Sequence, residues 1–375
     1  MNKEKMIIYP YDEEFGPVLR HRELLKEYEV VGLVSPRGWG LTGKDAGEAD
    51  NGCHVGINIT SDFDSSIDKC DIVLFSESRI QLEFEKYIMP KVVKAVEAGK
   101  DIIFTFPLEN DIYNMISKEC KAHRVNFKYY NYLDVQEAFH GIEVENEFIY
   151  DIETPVIFVM GIGERANKFE IQLALRENIM KMGYKITQVG TRGYCEFLGF
   201  HSFPRFMYSN TISETNKIVL FNHFIKKLEK DESPDVIIIG VPGGIMPFNN
   251  MLPNRFGILA YEVSQAVTPD TSIFSCYYAE YYPEYFSKTA EAVRYRLGCK
   301  VDCYNMANIM FDWGDSKNSN KMVYTSLNSK FIDERLKDYE QLDTPLFNVL
   351  NREGADCITN CLINKLTEYG ETECI

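Results

Sequence analysis

The sequence has few basic residues for its length, and this shortage restricts the partners it can bind. Its 375 residues include 40 lysines and arginines against 56 aspartates and glutamates, which gives a formal net charge of −16. Binding to nucleic acid depends on a cationic surface that displaces counterions from phosphates, so general nucleic-acid binding is not expected. Docking on anionic lipid is disfavoured for the same electrostatic reason.

Long apolar runs are also missing. No stretch approaches the ~20 apolar residues that cross a bilayer, and the first residues lack the apolar run of a secretory signal. The ten cysteines are scattered and none forms a C-x-x-C pair, so we expect a cytoplasmic protein with reduced thiols. The pairs Cys299/Cys303 and Cys357/Cys361 have the spacing of one helix face, which favours buried packing over a metal or cluster site.

Several common catalytic motifs are absent from the sequence. The six histidines show no H-x-x-x-H or H-E-x-x-H spacing, so a metallohydrolase is not expected. There is no G-x-S-x-G elbow, and the N-terminal part has no clear G-x-G-x-x-G that would support NAD binding. Cys195 and His201 follow the same predicted strand, but a Cys–His pair that is close in sequence says little about its distance in space.

Short apolar runs alternate with longer helical stretches, and this pattern predicts an α/β fold with mainly parallel strands. In the N-terminal part the predicted strands are Met6–Tyr9, Val30–Val34, Ile72–Phe75, Ile102–Phe106 and Val125–Tyr130. In the C-terminal part they are Val156–Met160, Tyr184–Val189, Val236–Ile239, Ser272–Cys276 and Val301–Tyr304. The predicted helices are Phe15–Tyr28, Leu82–Glu97, Lys168–Met182, Ile212–Lys230, Glu284–Leu297 and Ala355–Tyr369.

The length is about twice that of a usual domain of ~100–200 residues, so we predict two domains. An acidic stretch that ends in Pro155 interrupts the strand pattern near residues 145–155. We therefore assign a Rossmann-like domain to residues 1–150 and a second α/β domain, with C-terminal helices, to residues 151–375. The glycine-rich segment Pro36–Gly56 is predicted to be a loop, and either a ligand contact or a plain surface connection would explain it.

The most informative segment joins the strand Val156–Met160 to the helix that follows it. Gly161 and Gly163 make a tight turn, and Lys168 lies in the first helical turn. Backbone N–H groups at a helix start suit an anion, and a lysine at that point can reach a phosphate. The segment therefore predicts a site for a nucleotide or another small anionic ligand. A tight turn beside a solvated Lys168 is the alternative interpretation.

This loop resembles the phosphate loop of dethiobiotin-synthetase-like P-loop proteins, whose pattern is G-x-x-x-x-x-G-K-T. Here Asn167 stands at the last glycine position and Phe169 replaces the Ser/Thr. The acidic residue that ends a later strand in that superfamily is replaced by Gly240. The resemblance implies a P-loop NTPase-like C-terminal sheet. Because both replaced residues hold Mg²⁺ in active NTPases, we expect neither ordinary Mg²⁺ binding nor ATP hydrolysis.

The same resemblance extends the candidate site to two further strand ends. In the superfamily the end of the second strand faces the substrate, which implicates Thr191 and Arg192, and a glycine-rich turn follows a later strand. Arg165 or Arg192 would supply compensating positive charge. The candidate ligand-binding residues are Gly161, Gly163, Arg165, Asn167, Lys168, Thr191, Arg192, Gly243 and Gly244.

Taken whole, the chain resembles a bacterial family of accessory proteins found beside radical-SAM maturases of Cys-rich, ribosomally made peptides. Tyr9–Asp12, Gly161–Leu173 and Gly240–Asn249 carry this resemblance. It implies a role in the maturation of a peptide natural product, with the precursor peptide or the maturase as a partner, but it implies no particular reaction. The segment Phe256–Tyr278 resembles bacterial proteins in which a Rossmann-like domain precedes such a P-loop domain; one group of them is described as an N-acyltransferase of an acidic amino acid.

Three functions therefore remain open. The first is an accessory protein that binds a nucleotide or another anion, the second an enzyme that acylates or ligates an amino-acid-like substrate, and the third a non-catalytic scaffold. The tyrosine-rich run from Tyr277 to Phe286 is interpreted as helix-to-sheet packing, with a peptide-binding face as the alternative. The sequence indicates neither the ligand nor the oligomeric state.

Overall fold

The computed structural model describes residues 3–131, 148–319 and 321–372. The chain divides into two compact units: unit 1 is Met1–Leu133 with Gly193–Gly199, and unit 2 is Asp134–Arg192 with Phe200–Ile375. Each unit has its own sheet, so the protein has two α/β domains. The division lies before the boundary predicted at residue 150, and residues 145–147 of that predicted boundary lie outside the described residues.

The assignment of Gly193–Gly199 to unit 1 is a feature that the strand pattern does not reveal. The ring of Tyr194 lies 5.7 Å from that of Phe15, and the ring of Phe197 lies 5.5 Å from those of Tyr28 and Tyr130. These aromatic contacts join residues that are far apart in sequence, and such contacts leave no periodic signal along the chain. The association of Gly193–Gly199 with unit 1 is therefore visible only in the folded protein.

Unit 1 contains a six-stranded sheet in the order β3-β2-β1-β4-β5-β6, and its strand pairs are parallel. The strands are β1 Glu4–Tyr9, β2 Tyr28–Val34, β3 Ile59–Thr60, β4 Ile72–Phe75, β5 Asp101–Phe104 and β6 Phe127–Tyr129. The helices are α1 Gly16–Arg20, α2 Phe63–Ile67, α3 Met89–Glu97 and α4 Asn110–His123. This strand order is the Rossmann order, and the predicted Rossmann-like sheet is confirmed.

Two predicted helices of unit 1 differ from the structure in informative ways. The prediction of one helix over Phe15–Tyr28 is wrong, because α1 ends at Arg20 and a 3-10 turn follows before β2 begins at Tyr28. In the second, a π-helical turn over Phe84–Ile88 precedes α3, and Pro90 lies in the first turn of α3. Proline is tolerated there because an N–H in the first turn of a helix has no partner within the helix.

Unit 2 contains a mainly parallel sheet in the order β13-β12-β11-β7-β10-β8-β9, with β14 beside β12. The strands are β7 Val156–Gly161, β8 Ile186–Gly190, β9 His201–Ser202, β10 Val236–Gly240, β11 Thr271–Tyr278, β12 Cys303–Asp312, β13 Val323–Ser326 and β14 Leu346–Phe347. Only β13 pairs antiparallel to its neighbour among the described strands. The strands β13 and β14 are missed by the sequence because they are short and half-buried.

Helices cover both faces of this second sheet. They are α5 Lys168–Lys181, α6 Glu214–Glu232, α7 Ile258–Ala266, α8 Pro283–Leu297, α9 Trp313–Ser319, α10 Ser329–Leu336 and α11 Arg352–Thr372. Because side chains alternate along a strand, Phe158 and Ile237 enter one core while Ile157 and Ile238 enter the other. Ile358 and Leu362 of α11 pack into the second core.

Other expectations can be compared with the described residues. The nine cysteines that lie in them are free, and seven of these are not exposed. Within the same part of the chain, no helix combines the length and apolar character that a membrane crossing requires.

Glu262 of α7 gives the stability of unit 2 a predicted pH dependence. Its side chain is buried, and its nearest cation, Nζ of Lys217, is 4.0 Å away. Burial raises the pKa of Glu262 from 4.5 to about 7 although Lys217 lowers it. The folded protein thus favours the protonated acid, and this contribution to stability is lost as the pH rises from 4.5 towards 7.

We therefore expect Glu262→Gln to raise the free energy of unfolding at pH 8, by roughly 1 kcal/mol after allowance for solvent screening, and to change it little at low pH. Urea unfolding at about pH 5 and pH 8 measures this difference. Trp39 and Trp313 are the two tryptophans of the chain, so fluorescence in a Trp39→Phe background reports on unit 2 alone. An equal effect of the substitution at both pH values would contradict the assignment.

Candidate anion-binding site

The nine predicted site residues lie at the carboxyl ends of three neighbouring strands, β7, β10 and β8. Gly161 ends β7, Lys168 begins α5, and Gly163, Arg165 and Asn167 lie between them. Thr191 and Arg192 follow β8, and Gly243 and Gly244 follow β10. In open α/β sheets this edge is where ligands bind, at the point where the strand order reverses.

The second half of the β7–α5 loop presents unused backbone donors. Arg165 and Asn167 are left-handed, with φ of 59° and 52°, and left-handed residues can turn successive N–H groups towards one side. The N–H groups of Ala166, Asn167 and Lys168 have no acceptor within the described ranges. Ala166 and Lys168 are buried. Such donors at the start of a helix form a positive site that suits an oxyanion.

Lys168 is placed differently from the prediction. Its Nζ donates to the carbonyl oxygen of Val241 at 3.1 Å and also to that of Gly243. Burial lowers the pKa of Lys168, while the charge of Glu164 raises it. The ammonium group therefore fastens α5 to the loop after β10 instead of projecting into an open crevice. Its charge adds positive potential beside the loop.

The first half of the loop is filled by side chains from other elements. The hydroxyl of Tyr277 donates to the carbonyl of Glu164 at 2.6 Å, and a Cβ at Gly163 would overlap that hydroxyl. The amide of Asn254 donates to the carbonyl of Ile162 at 2.9 Å. Gly163 therefore serves close packing with Tyr277.

Asn254 belongs to a turn with unusual backbone geometry. Asn254, Arg255, Phe256 and Gly257 have φ of 47°, 51°, 59° and 70°, although left-handed geometry costs an L-residue about 1–2 kcal/mol. The side chain of Asn254 also donates to the carbonyl of Met246 at 3.1 Å, which helps to hold the turn. The sequence misses this role because the left-handed Arg255 and Phe256 carry no signal for that conformation, unlike Asn254 and Gly257.

The two positions that hold Mg²⁺ in active P-loop enzymes are occupied differently here. A Cβ at Gly240 would overlap the side-chain amide of Gln172, so position 240 has no space for a carboxylate. Gln172 donates to the carbonyl of Lys168 at 3.0 Å and accepts from the N–H of Thr191 at 3.3 Å. The guanidinium carbon of Arg192 lies over the ring of Phe169, 5.7 Å from the ring centre. Among the described residues no group of three or more His, Cys, Asp or Glu is suited to hold a metal.

The local charge of the site is opposite to that of the whole chain. Arg165, Lys168 and Arg192 lie in or beside the loop, and the charge of Arg192 contributes to the lowered pKa of Lys168. Glu164 is an exposed carboxylate in the same loop. The arrangement therefore concentrates cations around unused N–H groups, which is the electrostatic requirement for binding an anion.

In unit 1 the equivalent strand end is occupied by the protein itself. Asp12 follows β1 and accepts hydrogen bonds from the backbone N–H groups of Glu14 and Arg79, at 3.0 and 2.6 Å. Burial raises the pKa of Asp12 to about 7, although these bonds lower it. In dinucleotide-binding Rossmann domains a pyrophosphate takes this place. A buried acid there agrees with the lack of a glycine fingerprint in the sequence.

Two further sequence hypotheses can be placed in the structure. His201 lies with its Nε2 2.5 Å from Oε1 of Glu232, and this hydrogen bond is the main cause of the lowered pKa of Glu232. Cys195 is a buried residue of unit 1.

In the tyrosine-rich run, Tyr281 and Tyr285 stack with ring centres 3.9 Å apart and Phe286 is 2% exposed. Tyr277, Tyr281, Tyr285 and Phe286 therefore pack within unit 2, whereas Tyr282 is 81% exposed.

No protein-family model matches the chain, and comparison with curated proteins gives no match. Among solved structures, the chain is similar to a DUF1611 family protein from Anabaena variabilis, with a TM-score of 0.57 and 11% identity. The similarity covers 96% of this chain and 100% of that chain, and it shows the two-domain α/β fold.

Other solved structures are similar to a lower degree. A homoserine dehydrogenase from S. aureus has a TM-score of 0.27 and 11% identity, over 35% of this chain and 33% of that chain. An amine dehydrogenase from Mycobacterium smegmatis has a TM-score of 0.30 and 14% identity, over 47% of this chain and 52% of that chain. Similarity at this level supports no argument about function.

Proposed function

We propose that this protein binds a small anionic ligand, such as the phosphate groups of a nucleotide, at the N–H groups of Ala166, Asn167 and Lys168. The observation that carries the proposal is that these donors have no acceptor in the described part of the chain, although two of the residues are buried. A buried donor without a partner costs about 1–3 kcal/mol. An oxyanion that accepts these bonds therefore stabilises the loop, and the cations Arg165 and Arg192 favour its charge.

The wider role that we propose is that of an accessory protein in the maturation of a ribosomally made, Cys-rich peptide. The support is the sequence resemblance of Tyr9–Asp12, Gly161–Leu173 and Gly240–Asn249 to accessory proteins of such systems. The partner would be the precursor peptide or a radical-SAM maturase. An enzyme that acylates or ligates an amino-acid-like substrate, and a scaffold without a ligand, are the alternatives that the experiment below separates.

Calorimetric titration of the full chain with tripolyphosphate, ATP, GTP and acetyl-CoA tests the anion site. We expect binding of at least one of these anions, weakened about fivefold or more by Arg165→Gln because a cation beside the site is removed. Lys181→Gln is the matched control, since Lys181 is exposed at the other end of α5, about 20 Å away along the helix axis. Binding without turnover supports an accessory role, and turnover with an amine acceptor supports the enzyme. Absence of binding contradicts the proposal.

Replacing Glu164 is predicted to strengthen anion binding, the opposite of the effect expected for Arg165→Gln. The carboxylate of Glu164 is exposed in the loop, and its Oε1 would lie 3.9 Å from a Cβ at Gly243, another candidate residue. We expect Glu164→Gln to strengthen binding of tripolyphosphate about threefold, because it removes a repulsive charge that is partly screened by solvent. The gain should shrink as salt increases.

Calorimetry at about 50 mM and 300 mM NaCl, which changes the Debye length, measures both effects. Glu177→Gln is a suitable control because Glu177 lies in α5, where its carboxylate pairs with Lys181. Weaker binding by the Glu164 variant would show that the carboxylate supports the ligand, for instance through a bound cation, and would contradict the assigned geometry.

A further inference from the structure

A cluster of aromatic side chains lies beside the anion-binding loop in unit 2, and we call it the ring platform. Its members come from the loop after β10, from β11, from the end of β12 with the adjoining first residue of α9, and from β13: Phe248, Tyr277, Phe311, Trp313 and Tyr324. The ring centres of Phe248 and Phe311 are 4.4 Å apart, and those of Tyr277 and Tyr324 are 5.4 Å apart. Phe311 also lies 6.2 Å from Trp313 and 6.1 Å from Tyr324. The rings therefore form one continuous group.

The ring platform is joined directly to the loop. The hydroxyl of Tyr277 donates to the carbonyl of Glu164 at 2.6 Å, and the guanidinium group of Arg165 lies 5.9 Å from the ring centre of Tyr324. Glu164 and Arg165 immediately precede Ala166, whose N–H is the first of the unused donors. A molecule bound at those donors is therefore next to aromatic faces.

Packing within the protein leaves part of the ring platform uncovered. Trp313 is 45% exposed, and Phe248, Phe311 and Tyr324 are half-buried. Tyr277, by contrast, is 2% exposed and serves as the buried base of the group. Aromatic side chains that stay partly exposed next to a polar site commonly mark a place where a ligand binds.

We propose that the ring platform binds the planar base of a nucleotide whose phosphate groups occupy the N–H groups of Ala166, Asn167 and Lys168. This inference rests on the proposed function and names the class of ligand for that site. The charges fix the orientation: Asp312 and Asp315 lie beside Trp313, where they repel phosphate, whereas the cations surround the loop. The base therefore lies at the ring platform and the anionic groups lie at the loop.

Stacking on aromatic side chains discriminates little between bases, because every base has a π-face. We therefore expect ATP and GTP to bind with similar affinity. Both should bind about tenfold or more tightly than tripolyphosphate, which carries the same anionic chain without a base.

The sequence offers a direct probe of this contact, because Trp39 and Trp313 are its two tryptophans. In the full-length Trp39→Phe variant, fluorescence comes from Trp313 alone. We expect ATP and GTP to quench this fluorescence through stacking. Tripolyphosphate should bind in the calorimeter and leave the fluorescence unchanged.

Variants of the ring platform complete the test. Trp313→Leu is expected to weaken ATP binding about tenfold and to leave tripolyphosphate binding unchanged, whereas Trp313→Phe should retain ATP binding because a ring is kept. Equal affinities for ATP and tripolyphosphate, unaffected by Trp313→Leu, would overturn the base contact and leave the proposed anion site standing. If no anion binds, both proposals fail. If Trp313→Leu weakens both ligands equally while Trp313→Phe does not, the ring supports the loop and binds no base.

Discussion

Replacing Lys168 by methionine is expected to lower the free energy of unfolding of unit 2 by about 2 kcal/mol. The buried ammonium group donates to the carbonyls of Val241 and Gly243, and hydrogen bonds to charged groups contribute about 1.5–3 kcal/mol each. Relief of the cost of burying a charge offsets part of that loss, which is why the expected value is well below the sum. Urea unfolding followed by Trp313 fluorescence in the Trp39→Phe background measures it.

Lys181→Met is the matched control for this substitution. Lys181 is the last residue of the same helix, its side chain is 55% exposed, and it pairs with Glu177, so the same change should alter stability by less than about 0.5 kcal/mol. If Lys168→Met abolished anion binding and left stability unchanged, Lys168 would be a direct ligand. The fastening role assigned to it here would then be wrong.

Among the substitutions in the site, Gly244→Ala is expected to lower the free energy of unfolding of unit 2 the most, by about 3 kcal/mol. A Cβ at position 244 would overlap the carbonyl oxygen of Ile162 and the side chain of Asn254. Because the first of these is backbone, a rotamer change cannot relieve the overlap. The loop after β10 must then separate from the β7–α5 loop, and anion binding should fall together with stability.

Gly243→Ala is the comparison that isolates this overlap from backbone strain. Gly243 has φ of 70°, but a Cβ there would meet no heavy atom closer than Oε1 of Glu164 at 3.9 Å. We expect a loss of about 1 kcal/mol, from the left-handed conformation alone. Equal losses for the two substitutions, measured by the same urea unfolding, would show that the loops are not in close contact at Gly244.

Much of the architecture could be predicted from the sequence because it follows from local patterns. Buried parallel strands appear as unbroken apolar runs, and Val156–Met160 and Val236–Ile239 lie within the observed strands β7 and β10. The start of α5 at Lys168 was predicted as well, since a glycine turn between a strand and a helix is a local signal. Phe15–Tyr28 was mispredicted because its apolar residues fit a helix, whereas the structure has only the short helix Gly16–Arg20 and a 3-10 turn over Arg22–Leu24 before β2 begins at Tyr28.

The nine candidate residues lie together at one edge of the sheet, but the sequence does not reveal the contacts around them. The glycine turn after Val156–Met160 indicated the end of β7, and the resemblance to P-loop proteins added the ends of β8 and β10. The sequence did not identify Gln172, Asn254 or Tyr277, which shape the loop. The ring platform was missed for the same reason, since its members come from four separate segments and share no spacing.

By itself, the sequence determined the acidic charge, the two α/β sheets and the location of a glycine turn before a helix. Only the tertiary structure decided what that turn meets: Lys168 and Gly243 are 75 residues apart, Ile162 and Asn254 are 92 apart, and Glu164 and Tyr277 are 113 apart. Strand and helix periodicity depends on neighbours along the chain. Whether an ammonium group meets a carbonyl or open space depends on residues that only folding brings beside it.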